Sequence, residues 1–260
     1  MKDYGFDFKW LSVASFEMRF GDFTVVTDPY ITDCVATDLT WENIDACDLI
    51  CVSHMHWDHI TDIPALGEKF EPMIMLGAMS ALPMARWLNY SPSMMLPMYP
   101  DLELDFGPVK VRAIYGRHIK LKGGINDLKE RLNAYPLMQK YPGMDELQEL
   151  GSIEYCNYLF TMPNGTKVLI WGNEVNDMQI NLIKQYKPDI AIIQRSVGED
   201  AVKEKARFAA EIGAKVLIPH HHEFRGPEKE GVIELFGEEF LRLVPDGKFI
   251  SPAHGEWVHV

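Results

Sequence analysis

The stretch Cys51-Val52-Ser53-His54-Met55-His56-Trp57-Asp58-His59-Ile60 places His54, His56, Asp58 and His59 within six positions. Neutral imidazole nitrogens and a carboxylate oxygen are the donors that zinc, iron and manganese accept. Four such side chains on one loop can converge on a space the size of an ion and its water. That arrangement activates water at neutral pH and polarises a carbonyl or phosphoryl oxygen. A single histidine there would read as polar loop packing, but four such groups read as a metal motif.

A loop can aim side chains only if something rigid launches it. The preceding run, 48–52, is short, apolar and β-branched, and reads as a buried strand. The other histidines are His118, His220, His221, His222, His254 and His259. Each falls near an expected strand end or in the tail, and none falls in mid-helix. Strands are expected over 8–14, 16–20 and 23–28, closed by Asp28-Pro29. A helix follows at 60–70, a strand at 72–76, a helix at 80–89, and strands at 94–97, 101–106 and 109–115. The stretch 119–152 differs in composition and reads as an insertion or lid, partly helical and suited to setting substrate choice. Beyond it, strands 153–161 and 167–171 flank the turn Pro163-Asn164-Gly165. Helices at 176–186, 199–212 and 228–243 then alternate with strands at 189–194, 215–218 and 248–250. Two strand-then-helix halves predict one α/β domain over 1–260, a four-layer αββα sandwich. The competing (β/α)₈ barrel has no place for the early three-strand meander.

Composition narrows the partners. The formal net charge is −13, and an acidic surface repels phosphate backbones. The cysteines, Cys34, Cys47, Cys51 and Cys156, form no Cys-x-x-Cys pair and fit reduced cytosolic thiols. The N-terminal residues carry no apolar signal region, and no apolar run reaches the ~18 residues of a membrane span. The expectation is a cytoplasmic protein acting on a small-molecule substrate, with neither nucleic acid nor membrane as partner. A homo-oligomer stays open.

The run His54-x-His56-x-Asp58-His59 resembles the signature of the metallo-β-lactamase superfamily. Asp28-Pro29 resembles that family's first motif and His118 its third. Ile170-Trp171-Gly172-Asn173 stands where the fourth occurs. Ile218-Pro219-His220-His221 resembles the fifth in the lactonase-like branch, which includes ascorbate-6-phosphate lactonases. The resemblance implies a metal-dependent hydrolase. His54, His56 and His118 would hold a first ion, and Asp58, His59 and His221 a second. Asp28 would orient a ligand histidine from behind, and a water shared between the ions would be the nucleophile. Asp58, as ligand or proton acceptor, and His221 are the catalytic candidates.

One position departs from the family: its bridging aspartate is Asn173 here, with Glu174 beside it. Glu174 could take over, the second site could be weak, or a single ion could serve. His254 or His259 could supply a replacement ligand, or could lie in a solvated tail. The implied cofactor is one or two divalent ions, zinc first, with manganese or iron as alternatives. Arg117, Arg225 and His222 are candidates for gripping a substrate carboxylate or phosphate. The implied substrate is a small lactone, ester, amide or phosphate-bearing metabolite. Two other functions stay in view: a non-catalytic, regulatory metal-binding protein of the same fold, and a nuclease or phosphodiesterase of the same superfamily. The acidic charge argues against the last.

Overall fold

The computed structural model describes residues 2–116, 140–151, 153–172, 175–195, 199–222 and 231–260. In β1 (Asp7–Ser12) and β2 (Ser15–Phe20), alternate residues Phe8, Trp10, Phe16, Met18 and Phe20 point to one side. That period of two makes a strand with one face committed to a core. These strands pair in a sheet ordered β14-β1-β2-β3-β4-β5-β6. Its other members are β3 (Phe23–Thr27), β4 (Leu49–Cys51), β5 (Met73–Gly77), β6 (Met95–Met98) and β14 (Trp257–His259). The second sheet runs β13-β12-β11-β10-β9-β8-β7. It comprises β7 (Glu103–Asp105), β8 (Lys110–Tyr115), β9 (Cys156–Thr161), β10 (Lys167–Trp171), β11 (Ile190–Gln194), β12 (Val216–His220) and β13 (Lys248–Phe249).

The inner faces of the sheets share one apolar core, where Phe20 and Phe160 stack with ring centres 5.6 Å apart. The outer face of the first sheet is covered by α1 (Trp57–Ile60), α2 (Ile63–Phe70), α3 (Ala81–Leu88) and α4 (Asp145–Gly151). The outer face of the second is covered by α5 (Asp177–Tyr186), α6 (Glu199–Glu211) and α7 (Val232–Leu243). The layers therefore run αββα, as the two strand-then-helix halves implied, and not around a barrel.

Both sheets follow the same plan. Pairing is antiparallel from β14 to β3 and from β7 to β10, then parallel from β3 to β6 and from β10 to β13. Parallel neighbours deliver their C-terminal ends to the same edge, and ligands in open α/β sheets bind at that edge. Asp28 follows β3, the histidine loop follows β4, and His220 closes β12.

Three details differ from the sequence expectation. The helix expected at 60–70 is two pieces, because the Asp62 carboxylate accepts from the Ile31 and Thr32 amides at 2.5 and 3.0 Å. Its first turn starts at Trp57, so Asp58 and His59 ride on a helical turn. The tail forms β14, which pairs with β1; the expected helix start at 228 lies outside the described residues. Among the described residues no helix is long and apolar enough to cross a membrane.

The outer face of β1 and β2 carries an ion pair. Lys9 and Glu17 stand directly opposite in the register, 2.8 Å apart, with Lys9 4% and Glu17 0% exposed. Glu17 also accepts from the Asp45 and Ala46 amides, and Lys9 Nζ donates to Asn43 O. The pair thus fastens the segment that leads into β4. Breaking a buried pair leaves an uncompensated charge. Lys9→Met should therefore cost about 3 kcal/mol, read by denaturant unfolding, and the Lys9→Met/Glu17→Leu double variant should recover most of it. A single variant as stable as the parent would contradict this.

Candidate metal centre

The chain leaving β4 is held from both sheets before it reaches the first histidine. Val52 N donates to Met75 O in the first sheet, and Tyr158 of the second sheet donates its hydroxyl to Val52 O, both at 2.8 Å. Cys156 N donates to Ser53 O at 2.8 Å, and Ser53 N donates to Asp28 Oδ1 at 2.6 Å. The Ser53 hydroxyl lies 2.9 Å from His54 Nδ1. That contact occupies one ring nitrogen and turns the other, Nε2, toward His56 Nδ1 at 3.1 Å. Two imidazole nitrogens from neighbouring loop positions thus face one point.

A second convergence adjoins the first. Asp58 Oδ2 lies 3.7 Å from His59 Nε2 and 3.6 Å from His221 Nε2. One donor atom from each of these three residues falls within 4.8 Å of the others. The rings of His54 and His59 are 4.0 Å apart, so the two groups are contiguous. Behind His59, Asp28 Oδ2 lies 3.1 Å from Nδ1. A carboxylate at that nitrogen favours the tautomer with its proton on Nδ1 and leaves the Nε2 lone pair for an ion.

The electrostatics match that donor set. Burial works against the Asp58 carboxylate, but His59, His221 and His56 outweigh it and hold its pKa well below the ordinary range. Burial lowers the His56 pKa to about 4, against a smaller upward pull from Asp58. For His59, burial also pulls downward, yet Asp28 and Asp58 prevail and raise it. Asp58 is therefore a carboxylate and His56 a neutral base at neutral pH. Oxygen and imidazole donors at this spacing, with two carboxylates to offset charge, fit a divalent transition ion.

Backbone strain marks the same place. Val13, Asp28 and His221 have positive φ, at 38°, 39° and 57°. For non-glycine residues this costs about 1–3 kcal/mol each and persists only where surroundings over-determine it. Here the surroundings are the β1–β2 turn. Val13 O accepts from His221 N at 2.9 Å and from Trp10 Nε1 at 3.2 Å. Ser15 donates its hydroxyl to Asp28 O at 2.5 Å and accepts from Tyr30 N, while Ser12 donates to Tyr30 O. One tight turn therefore holds Asp28 from the first sheet and His221 from the second.

The remaining sequence candidates divide. His220 is buried, edge-on to Phe16, and within 3.2 Å of Trp171 O. His222 stacks on Trp10 at 4.8 Å, and His254 packs on the same ring at 4.0 Å. His259 is not a replacement ligand. It sits in β14, bonded to Asp7 and Asp3 at 2.7 and 3.1 Å, because the tail pairs with β1 instead of reaching the loop. Arg117, His118, Asn173, Glu174 and Arg225 lie outside the described residues. The chain before Asn173 is anchored where Gly172 N donates to Asn157 Oδ1 at 3.0 Å.

Ser53, Tyr155 and Gln148 escape a reading of the sequence. Tyr155 lies against His54 with rings 4.9 Å apart, and burial raises its pKa so that it stays a phenol. Gln148 bonds to Met55 and Trp57 on either side of His56. Only Ser53 carries a local signal, as a hydroxyl next to a motif histidine.

Comparison with known proteins agrees with this fold. Residues 7–221 match the Beta-lactamase superfamily domain. A UPF0173 metal-dependent hydrolase of Solibacter usitatus is 34% identical over 216 residues, covering 82% of this chain and 83% of that protein. Another from Polynucleobacter asymbioticus is 23% identical over 244 residues, covering 87% and 77%. Among solved structures, a metallo hydrolase of the archaeon Ignicoccus hospitalis superposes with a TM-score of 0.71 at 12% identity, covering 97% of each chain.

The Asp28 contacts generate a sharp expectation. In Asp28→Asn the amide oxygen can still accept from Ser53 N, which turns the amide NH₂ toward His59 Nδ1. That reverses the favoured tautomer and protonates Nε2. The affinity of the Asp58, His59 and His221 group for a divalent ion should then fall by about 10–100-fold, by competitive titration, with near-ultraviolet circular dichroism unchanged. Equal affinity would refute this account of Asp28.

Proposed function

The chain belongs to the UPF0173 metal-dependent hydrolases of the metallo-β-lactamase superfamily, and on that premise we propose that His54, His56 and His118 hold a first divalent ion and Asp58, His59 and His221 a second. The observation that carries this is the convergence of Asp58, His59 and His221 beside the facing nitrogens of His54 and His56. Zinc suits the imidazole-rich donor set best, with manganese and iron as alternatives. A bound ion supplies Lewis acidity and an activated water near neutral pH. Asp28 holds the His59 tautomer. Asp58, kept ionised by the surrounding imidazoles, ligates or accepts the proton of the attacking water. His221, held on its strained backbone, donates toward the developing oxyanion or ligates.

The substrate class that fits is a small lactone, ester, amide or phosphate-bearing metabolite, as in the lactonase-like branch. Arg117, Arg225 and His222 are the residues we assign to its anionic group. The experiment is metal analysis of protein purified without added metal, with a screen over lactones, esters, amides and phosphodiesters. The parent should retain metal and hydrolyse at least one class. His54→Ala and His56→Ala should each lose most of the metal and all hydrolysis. Full metal content and activity in both variants would overturn the assignment.

Asn173 makes the two sites unequal. A neutral amide where the family carries a bridging carboxylate leaves more cation–cation repulsion uncompensated. We expect one tightly held ion and one labile, and Asn173→Asp should tighten the weaker site. If Glu174 already supplies the charge, Asn173→Asp changes little and Glu174→Gln empties that site instead. Two equally tight ions in the parent and in both variants would refute the inequality.

A further inference from the structure

His56 is the less buried member of the His54–His56 pair, and its carbonyl accepts from His59 N at 2.9 Å where α1 begins. Its ring Nδ1 faces His54, but its main chain lies beyond the anchors that fix Val52 and Ser53. The chain on either side of it is gripped by α4, in the stretch that sequence composition marked as an insertion. Gln148 is 1% exposed and lies on the inner face of that helix. Its amide Oε1 accepts from Trp57 N at 3.0 Å, and its Nε2 donates to Met55 O at 2.7 Å. One side chain thus satisfies the backbone polar groups immediately before and after His56. A primary amide offers a donor and an acceptor side by side without a charge.

Gly151, one turn further along α4, admits the loop. A Cβ there would lie 2.8 Å from His56 N, 2.8 Å from Met55 C and 3.0 Å from the His56 ring. Two of those three atoms are backbone, which cannot swing aside as a side-chain tip would. The space that a glycine leaves is filled by the loop itself. Met144 and Leu147 of the same segment are buried in the apolar cluster on the outer face of the first sheet, which also takes in Met55 and Trp57 of the loop.

We propose that α4 is a positioning element for the metal centre, with Gln148 bracketing His56 through the flanking backbone and Gly151 setting the distance of approach. This rests on the assignment of His56 as a ligand. The consequence is that the segment after 139 governs ion affinity, whatever the remainder of the insertion contributes to substrate choice. Gln148 touches neither ion nor substrate and acts through His56. A ligand needs only a small misdirection to lose a coordinate bond, and support of this kind is worth about 10–100-fold in metal affinity.

The test uses the full chain, stripped of metal and titrated with Co²⁺ alone. The readouts are dissociation constants and visible ligand-field bands. Gln148→Met keeps length and apolar volume but removes both hydrogen bonds. Gly151→Ala favours the helix while pushing the loop. Leu147→Ala removes core packing from the same helix but leaves both Gln148 hydrogen bonds and the Gly151 contact in place. His54→Ala reports whether the ion occupies the assigned centre. Gln148→Met and Gly151→Ala should each weaken Co²⁺ binding by about 10-fold or more and alter the ligand-field bands. Leu147→Ala should lower Tm yet keep the parent's affinity and spectrum. If Gln148→Met does not fold, Gly151→Ala decides alone. Parent-like affinity and spectrum in the folded Gln148→Met and Gly151→Ala variants overturn the proposal while leaving the metal centre standing. Equal Co²⁺ binding by the parent and His54→Ala overturns the centre and the proposal together.

Discussion

Asp28 spans the gap between two adjacent strand ends, and the candidate site depends on that one carboxylate. One oxygen accepts from the main chain of Ser53, next to the first motif histidine, and the other lies against the ring of His59. The same group therefore sets where the loop begins and which nitrogen of its last histidine faces inward. It does this from a left-handed backbone that an aspartate adopts only under constraint. The constraint is the β1–β2 turn, whose serines grip the chain around Asp28 and whose Val13 carbonyl grips His221. Strain at Val13, Asp28 and His221 is thus one connected set of contacts.

The two sheets divide the labour. Their inner faces, along antiparallel and parallel halves alike, form the apolar contact that fixes one sheet against the other, with Phe20 stacked on Phe160. Their parallel halves bring strand ends, and hence polar loops, to a common edge. Tyr158 and Cys156 of the second sheet bond to the main chain leaving β4 in the first. The loop is consequently positioned by both layers before any side chain becomes a ligand. The buried Asp58 carboxylate is stable there because the His59 and His221 rings face it at 3.7 and 3.6 Å.

The site was legible in the sequence where polar side chains broke the expectations of a strand end. Four titratable groups in six positions after an apolar run, and an aspartate ending a strand, have no packing explanation. The sandwich was legible because two meanders each gave way to alternating helices and strands. Gln148 was not legible: within Asp145–Gly151 a glutamine among acidic residues reads as a solvated helix face, and only tertiary contact reveals which side is buried. Trp257–His259 is too short to announce itself as a strand, and its partner lies at the opposite end of the chain. The break at Thr61-Asp62 depends on amides 30 residues away in the sequence, a dependence that helical periodicity does not contain.

The donor groups do not all come from one sheet. His54, His56, Asp58 and His59 follow β4 of the first, and His221 follows β12 of the second. An ion gripped by Asp58, His59 and His221 would therefore cross-link the molecule as a disulfide does, tying residues separated by the whole of 60–220. Because the unfolded chain offers no such cage, each increment of ion binding would be an increment of folding stability. With such an ion bound, any sliding of one sheet past the other would have to break that link. Occupancy would then be felt as resistance to shear between the two halves, far from the edge where the chemistry takes place.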